Sequence, residues 1–279
     1  TDHTTTWDRF GFNLDSGQAR DAVARLLAGG KLTLAGLHCH VGTFILEPDA
    51  YRQASSKLAA FANTLRAEHG VALDFIDMGG GFASPNTLKA QYLPGEQVCP
   101  SFSRYAAAIS DGLATLNYPL REMPTLVLET GRALVDEAGY MISSVVANKR
   151  LPDGTRALVL DGGVNLLFTA YWYKHDVLPT AEHAGIAEPT VMYGPLCMNI
   201  DVVRDAVMFP PVRVGDSVVF RNVGAYNVTQ WMQFITYRPA VVMIGTDGRH
   251  SLIRRREDQE TFSSHERMPD WLQSAAHAS

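Results

Sequence analysis

The chain is short of cysteine, of long hydrophobic runs and of positive charge, and each shortage removes a class of protein. Its three cysteines, Cys39, Cys99 and Cys197, stand far apart in 279 residues. They are too few for a disulfide framework and fit a reducing, cytoplasmic compartment. No apolar run is long enough for a membrane-spanning helix. The formal net charge is −5 and no clustered Lys/Arg face is visible, which argues against nucleic acid as a partner. The polar start, Thr1 to Thr6, has no signal-peptide pattern. Lysine is scarce as well, with only Lys31, Lys57, Lys89, Lys149 and Lys174.

What remains is globular composition, 46% hydrophobic and 19% charged, enough for one large domain or two medium ones. The first half alternates strand-like and helix-like segments. Ser16 is a candidate N-cap for a helix over 16–28, with Ala22, Val23, Leu26 and Leu27 as its stripe and Gly29-Gly30 as its stop. Leu32–Val41 reads as a buried strand, Pro48–His69 as an amphipathic helix ending at Gly70, and Phe75–Met78 as a second strand. Phe102–Leu116 follows as a helix and Thr125–Leu128 as a third strand. Short apolar strands alternating with helices predict a parallel α/β arrangement.

Near Tyr140 the pattern changes. Met141–Lys149, Arg156–Leu160, Thr190–Met192, Ser217–Arg221 and Ala240–Ile244 read as strands, with turn signals at 152–154 and 246–248. The expected division is an α/β domain over 1–142 and a β-rich domain over 143–279, with a frayed tail from Arg254.

Four groups of residues carry candidate chemistry. Gly79-Gly80-Gly81 follows a strand, and such a bare backbone turns tightly around an anion such as a phosphate. A plain flexible turn is the alternative. His38 and His40 share one face if the strand continues through them. No second Cys/His cluster completes a metal site, so the expectation is no metal, and imidazoles at a strand end suit a catalytic face. Glu129-Thr130-Gly131-Arg132 places a carboxylate beside a phosphate-type arginine, or else is a surface ion pair. Tyr193–Asp201 and Asn222–Tyr226 are turns bearing Cys197 and Tyr226.

Taken in order, these segments resemble the ornithine, diaminopimelate and arginine decarboxylases, fold-type III enzymes dependent on pyridoxal 5'-phosphate. The carriers are Arg9-Phe10-Gly11-Phe12, His38-Cys39-His40-Val41-Gly42-Thr43, Asp77-Met78-Gly79-Gly80-Gly81-Phe82, Glu129-Thr130-Gly131-Arg132, Gly194-Pro195-Leu196-Cys197 with Asp201, and Gly224-Ala225-Tyr226. The resemblance implies the C-terminal part of a pyridoxal-phosphate-binding (β/α)8 barrel followed by a β-rich domain. It implies that His40 stacks on the cofactor ring and that Thr43 stands near the phosphate. Gly79, Gly80, Gly81, Gly131, Arg132 and Tyr226 would bind that phosphate, and Glu129 would pair with the pyridine nitrogen. Cys197 would return a proton after decarboxylation, lent to the neighbouring subunit of a homodimer with shared active sites. A racemase of the same barrel class and a non-catalytic pyridoxal-phosphate-binding subunit are the alternatives. The Gly-Pro-Leu-Cys segment favours the decarboxylase, because racemases of this class use a tyrosine from the partner instead.

Two departures from the family pattern stand out. The family's Schiff-base lysine lies on the first barrel strand, upstream of the His motif, and none of the five lysines occupies such a place. A full barrel takes about 250 residues and only about 130 precede the expected β domain. The expectation is that an N-terminal segment or a companion chain carries the lysine. The second departure concerns the substrate. Members acting on diamine-forming substrates have an acidic residue just after the Cys, where this chain has Met198. A second acidic position aligns with Lys174, unless Asp176 takes that role. Met198, Asp201, Lys174 and Tyr173 are the candidate substrate contacts. They predict a non-standard amino acid lacking a free distal amine, its side chain ending in a carboxylate or in an acylated or apolar group.

Overall fold

The computed structural model describes residues 9–272. The chain divides into two compact units. The first runs to Met141 and takes in Trp172–Val177 and Phe220–Ala225, and the second holds the rest.

The first unit contains α1 (Gln18–Gly29), β1 (Gly36–His38), α2 (Asp49–His69), β2 (Phe75–Asp77), α3 (Gly95–Val98), α4 (Phe102–Leu113), β3 (Thr125–Val127) and α5 (Gly131–Val135). Its strands form a parallel sheet in the order β1-β2-β3, with Gly36 opposite Phe75 and Phe75 opposite Thr125. Long helix α2 forms because Tyr51, Leu58, Ala62 and Leu65 recur on one face and are buried. It stops at Gly70, whose φ of 66° an L side chain rarely adopts and whose N–H bonds back to Arg66. Tyr51, Leu58, Ile76, Met78, Phe82, Tyr105 and Ile109 make one core, so the middle strand and helices α2 and α4 bury the same apolar surface.

Two local expectations change. Ser16 does not cap α1: Gly17 holds the cap position with φ 86° and no side-chain bond, while the Ser16 N–H donates to Asn13 Oδ1. The first strand is three residues long rather than ten, because the chain pairs with β2 only over Gly36–His38.

The second unit is built on a six-stranded sheet of β4 (Tyr140–Arg150), β5 (Arg156–Leu160), β6 (Val177–Pro179), β7 (Glu188–Tyr193), β8 (Val202–Phe209) and β9 (Ser217–Arg221). The strand order is β6-β9-β4-β5-β7-β8, with β5 and β7 parallel and the β4–β5 and β7–β8 pairs antiparallel. A separate antiparallel hairpin joins β10 (Val241–Ile244) to β11 (His250–Arg254), and α6 (Gln259–Ser263) follows. The chain beyond Arg254 is not frayed as far as residue 272. Glu257 is buried, ion-paired to Arg238 at 3.2 Å and bonded by Gln233 Nε2, and Asp258 caps α6 by accepting from the Thr261 N–H. Residues 273–279 lie outside the described range.

Candidate functional site

The carboxyl ends of β1, β2 and β3 bring the sequence motifs together. The Cys39 N–H bonds to the Asp77 carbonyl, the Met78 N–H to the Val127 carbonyl and the Glu129 N–H to the Gly79 carbonyl. Parallel pairing therefore carries three consecutive motifs to one end of one sheet, where ligands bind in open parallel sheets.

The glycine loop is held from several sides. Gly79 and Gly81 have φ of 64° and 97°. A Cβ on Gly79 would lie 2.3 Å from the Cys39 carbonyl oxygen, and one on Gly81 2.3 Å from that of Gly42. Only glycine fits both the backbone angle and the space. The Gly79 N–H donates to Asp77 Oδ1 and the Gly80 carbonyl accepts from the Tyr51 hydroxyl, both at 2.8 Å. Among the described residues no other group takes the N–H of Gly80 or Gly81. Two fixed backbone donors in a turn with no side chains form an anion cradle, which is how the loop fits a phosphate.

Beside it lie the ring-type contacts. The His40 ring stands next to Gly80, where a Cβ would meet its Cε1 at 3.8 Å, and packs edge-on against Phe10 with centroids 5.9 Å apart. His38 Nε2 is 3.7 Å from Glu129 Oε1. Ligand atoms of His38, Asp77 and Glu129 all lie within 4.8 Å of one another. That spacing suits a shared cation, including a protonated ring nitrogen. β1 ends at His38, so His40 reaches the site from a loop, and the alternation argument for the two histidines does not apply.

Arg132 sits in the first turn of α5. Its guanidinium donates to the Tyr173 hydroxyl and lies over the Phe44 and Tyr173 rings, at 5.4 and 5.1 Å from their centroids. Phe44 belongs to the loop whose Ile45 N–H bonds to Gly81 O at 2.8 Å. The aromatic pair thus braces the arginine beside the glycine loop. Thr43, on the same loop, is exposed. A groove of about 1380 Å³ opens between α1, β1 and α2 with His38 and His40 in its wall. Gly79–Gly81, Glu129 and Arg132 are not part of its lining, so we place the site by its chemistry, at the strand ends.

Three candidate substrate contacts have partners within the chain. Tyr173 is buried and bonded by Arg132. Lys174 Nζ donates to the Gln91 carbonyl at 3.1 Å. Asp201, 2% exposed, accepts the Val164 and Leu196 N–H groups at 2.7 Å each, so it organises the loop that carries Cys197. Asp176 pairs with Arg221 at 3.2 Å. Cys197, Met198 and Tyr226 are exposed on the second unit, and their roles rest on the motifs alone. Replacing Asp201 by Ala strands two buried N–H groups and is expected to cost about 3 kcal/mol. A denaturant melt checks this, and an unchanged midpoint would contradict the assignment.

A parallel strand–helix unit with a glycine loop, a braced arginine and a carboxylate facing an imidazole is the arrangement that the resemblance to the pyridoxal-phosphate-binding barrel class implies. Residues 2–136 match the pyridoxal binding domain of pyridoxal-dependent decarboxylases, and residues 132–224 match the C-terminal sheet domain of the same enzymes. The chain belongs to this fold-type III decarboxylase family: part of a barrel followed by a sheet domain, with pyridoxal phosphate as the cofactor. It is 33% identical over 261 residues to a diaminopimelate decarboxylase of Actinosynnema pretiosum, covering 90% of this chain and 56% of the relative. It is 28% identical over 269 residues to one from Methanocaldococcus jannaschii, covering 95% and 58%. A crystal structure of the M. jannaschii diaminopimelate decarboxylase in co-complex with L-lysine superposes with a TM-score of 0.82 at 27% identity, covering 96% of this chain and 59% of that one. The chain thus spans under two thirds of the length of these relatives.

Proposed function

We propose that the protein decarboxylates an amino acid of the diaminopimelate type, using pyridoxal phosphate. The observation that carries this reading is the meeting of the glycine loop, His40 and Glu129 at one sheet end. When bound, the cofactor supplies an electron sink for the pair left behind by departing CO₂. The chain's own residues do the rest. The N–H groups of Gly80 and Gly81, with Arg132, hold the phosphate end. His40 covers one face of the ring and excludes water from it. Glu129 holds a proton at the ring nitrogen. Cys197 delivers a proton to the substrate carbon, and Tyr226 adds a donor to the phosphate, both as the family resemblance implies.

The substrate reading differs from the one Met198 and Lys174 suggest. The relatives are named for diaminopimelate, which carries an amine and a carboxylate at each end, and one was solved with lysine. They support a distal amine together with a distal carboxylate. Lys174 Nζ donates to the Gln91 carbonyl, which occupies one of its donors and leaves its charge in place, so the reading toward the amine rests on the relatives.

The Schiff-base lysine comes from polypeptide outside this chain, an N-terminal segment or a companion chain. Two features support this. The three-stranded parallel sheet has β1 and β3 as its edges, and Phe75, Leu126 and Val127 expose apolar surface on its strands that added strands would cover. The protein acts as a homodimer with shared sites, in the cytoplasm, consistent with its three free thiols. Among the described residues no helix is long and apolar enough to cross a membrane.

The test is release of CO₂ from a panel of amino acids by the complete protein loaded with pyridoxal phosphate. Diaminopimelate is expected to give lysine and CO₂ in equal amounts. Racemisation without CO₂, or no turnover of any panel member, would overturn the reading.

A further inference from the structure

We propose that Asp136 is a positioning residue for the cofactor phosphate, locking together the chain segments that present it; this rests on the pyridoxal-phosphate reading above. Asp136 lies just past α5, one turn after Arg132, and is 3% exposed. Its Oδ2 accepts from Ser84 Oγ at 2.5 Å and Asn86 Nδ2 at 3.1 Å. Its Oδ1 accepts the Ala225 N–H at 3.0 Å, and its carbonyl accepts the Gly224 N–H at 3.0 Å. Asn86 also donates to the Asn222 carbonyl at 2.8 Å.

Asp136 thus joins its own segment, just past α5, to two stretches remote from it in sequence. Ser84 and Asn86 continue directly from the glycine loop. α5 carries Arg132. The turn 222–225 leads into Tyr226. The approach of the last two is close enough to require glycine: a Cβ on Gly139 would fall 2.3 Å from Gly224 Cα, and one on Gly224 1.8 Å from the Val135 carbonyl oxygen. The carboxylate's partners Ser84, Asn86 and the Ala225 N–H are all protein groups that hold the chain, which is a positioning role.

A buried anion at this spot is costly by itself. Burial pushes the Asp136 carboxyl above the usual carboxylate range, while Ser84, the Ala225 N–H, Arg132 and Asn86 pull the other way. An apolar residue would pack the volume without that cost. What it cannot do is accept hydrogen bonds from Ser84, Asn86 and the Ala225 N–H at once, and an anion cradle depends on backbone donors held to within a fraction of an ångström.

The test compares pyridoxal phosphate with pyridoxal, which lacks the phosphate, by fluorescence titration of the complete protein. Asp136→Ala is expected to weaken pyridoxal phosphate about 10- to 100-fold, the equivalent of losing a buried charged hydrogen-bond set, and to leave pyridoxal nearly unchanged. Asn86→Ala, which spares the carboxylate, is expected to show a smaller loss of the same kind, and it decides the matter if Asp136→Ala does not fold. Equal weakening of both ligands, or no weakening, would overturn the positioning role. Failure of the wild-type protein to bind either ligand would instead count against the cofactor reading itself.

Discussion

Glu129→Gln lowers the decarboxylation rate by about 10²- to 10³-fold at saturating cofactor, the scale seen when a group that holds a proton in the transition state is lost. Glu129 lies two residues past β3, and its backbone is pinned by the bond from its N–H to the Gly79 carbonyl at 3.0 Å. Its carboxylate faces His38 Nε2 at 3.7 Å. A carboxylate raises the basicity of a ring nitrogen placed beside it, and an amide of the same shape does not. Cofactor affinity should change much less than kcat, because the phosphate is held by other groups, the glycine loop and Arg132. Initial rates of CO₂ release at several cofactor concentrations separate the two effects. A variant with full kcat and poor affinity would remove Glu129 from its role at the nitrogen.

Cys197→Ala is the second large effect, expected at about 10²- to 10⁴-fold on product formation. The thiol is exposed on the single chain, at the tip of a loop whose base Asp201 ties to Val164 and Leu196. Its exposure at the end of a held loop leaves the thiol accessible to the neighbouring subunit proposed above. Cys197→Ser retains a proton donor and should recover part of the loss. Sharing of sites has its own signature. When Cys197→Ala and Arg132→Ala proteins are unfolded and reassembled together, random dimers regain one intact site in half of the molecules, giving about a quarter of wild-type activity. Activity no higher than that of either variant alone would mean that each subunit builds its site from its own residues.

Much of this arrangement was readable from the chain, and the reasons differ by element. α2 was legible because its apolar positions recur at helical spacing and Gly70 supplies a left-handed stop. Arg156–Leu160 and Ser217–Arg221 were legible because apolar, β-branched runs are bounded by turns. β8 escaped because it is an edge strand that carries Arg204 and Asp205 at its centre, and a charged centre reads as loop. β11 had a readable signal: the turn Thr246-Asp247-Gly248 after β10 calls for a partner strand.

For the site, the strand-end motifs could be found because each is short, contiguous and rich in glycine or charge. The network around Asp136 could not. It joins Ser84, Asn86, Asn222 and Ala225 across separations of 50 to 136 residues, and no local pattern reports such a meeting. Tyr173 was noticed as one aromatic among several, yet its position against Arg132 depends on where residues 172–177 return to the first unit. Asp201 was readable as part of the motif that carries Cys197, and only its burial and its two N–H partners show that its carboxylate serves the loop.

The most direct measurement is a crystal structure of the complete protein with pyridoxal phosphate. Phosphate density within hydrogen-bond distance of the Gly80 and Gly81 N–H groups and of the Arg132 guanidinium, with the ring between His40 and Glu129, is the predicted result. A phosphate bound elsewhere, or a ring turned with its nitrogen away from Glu129, would contradict it.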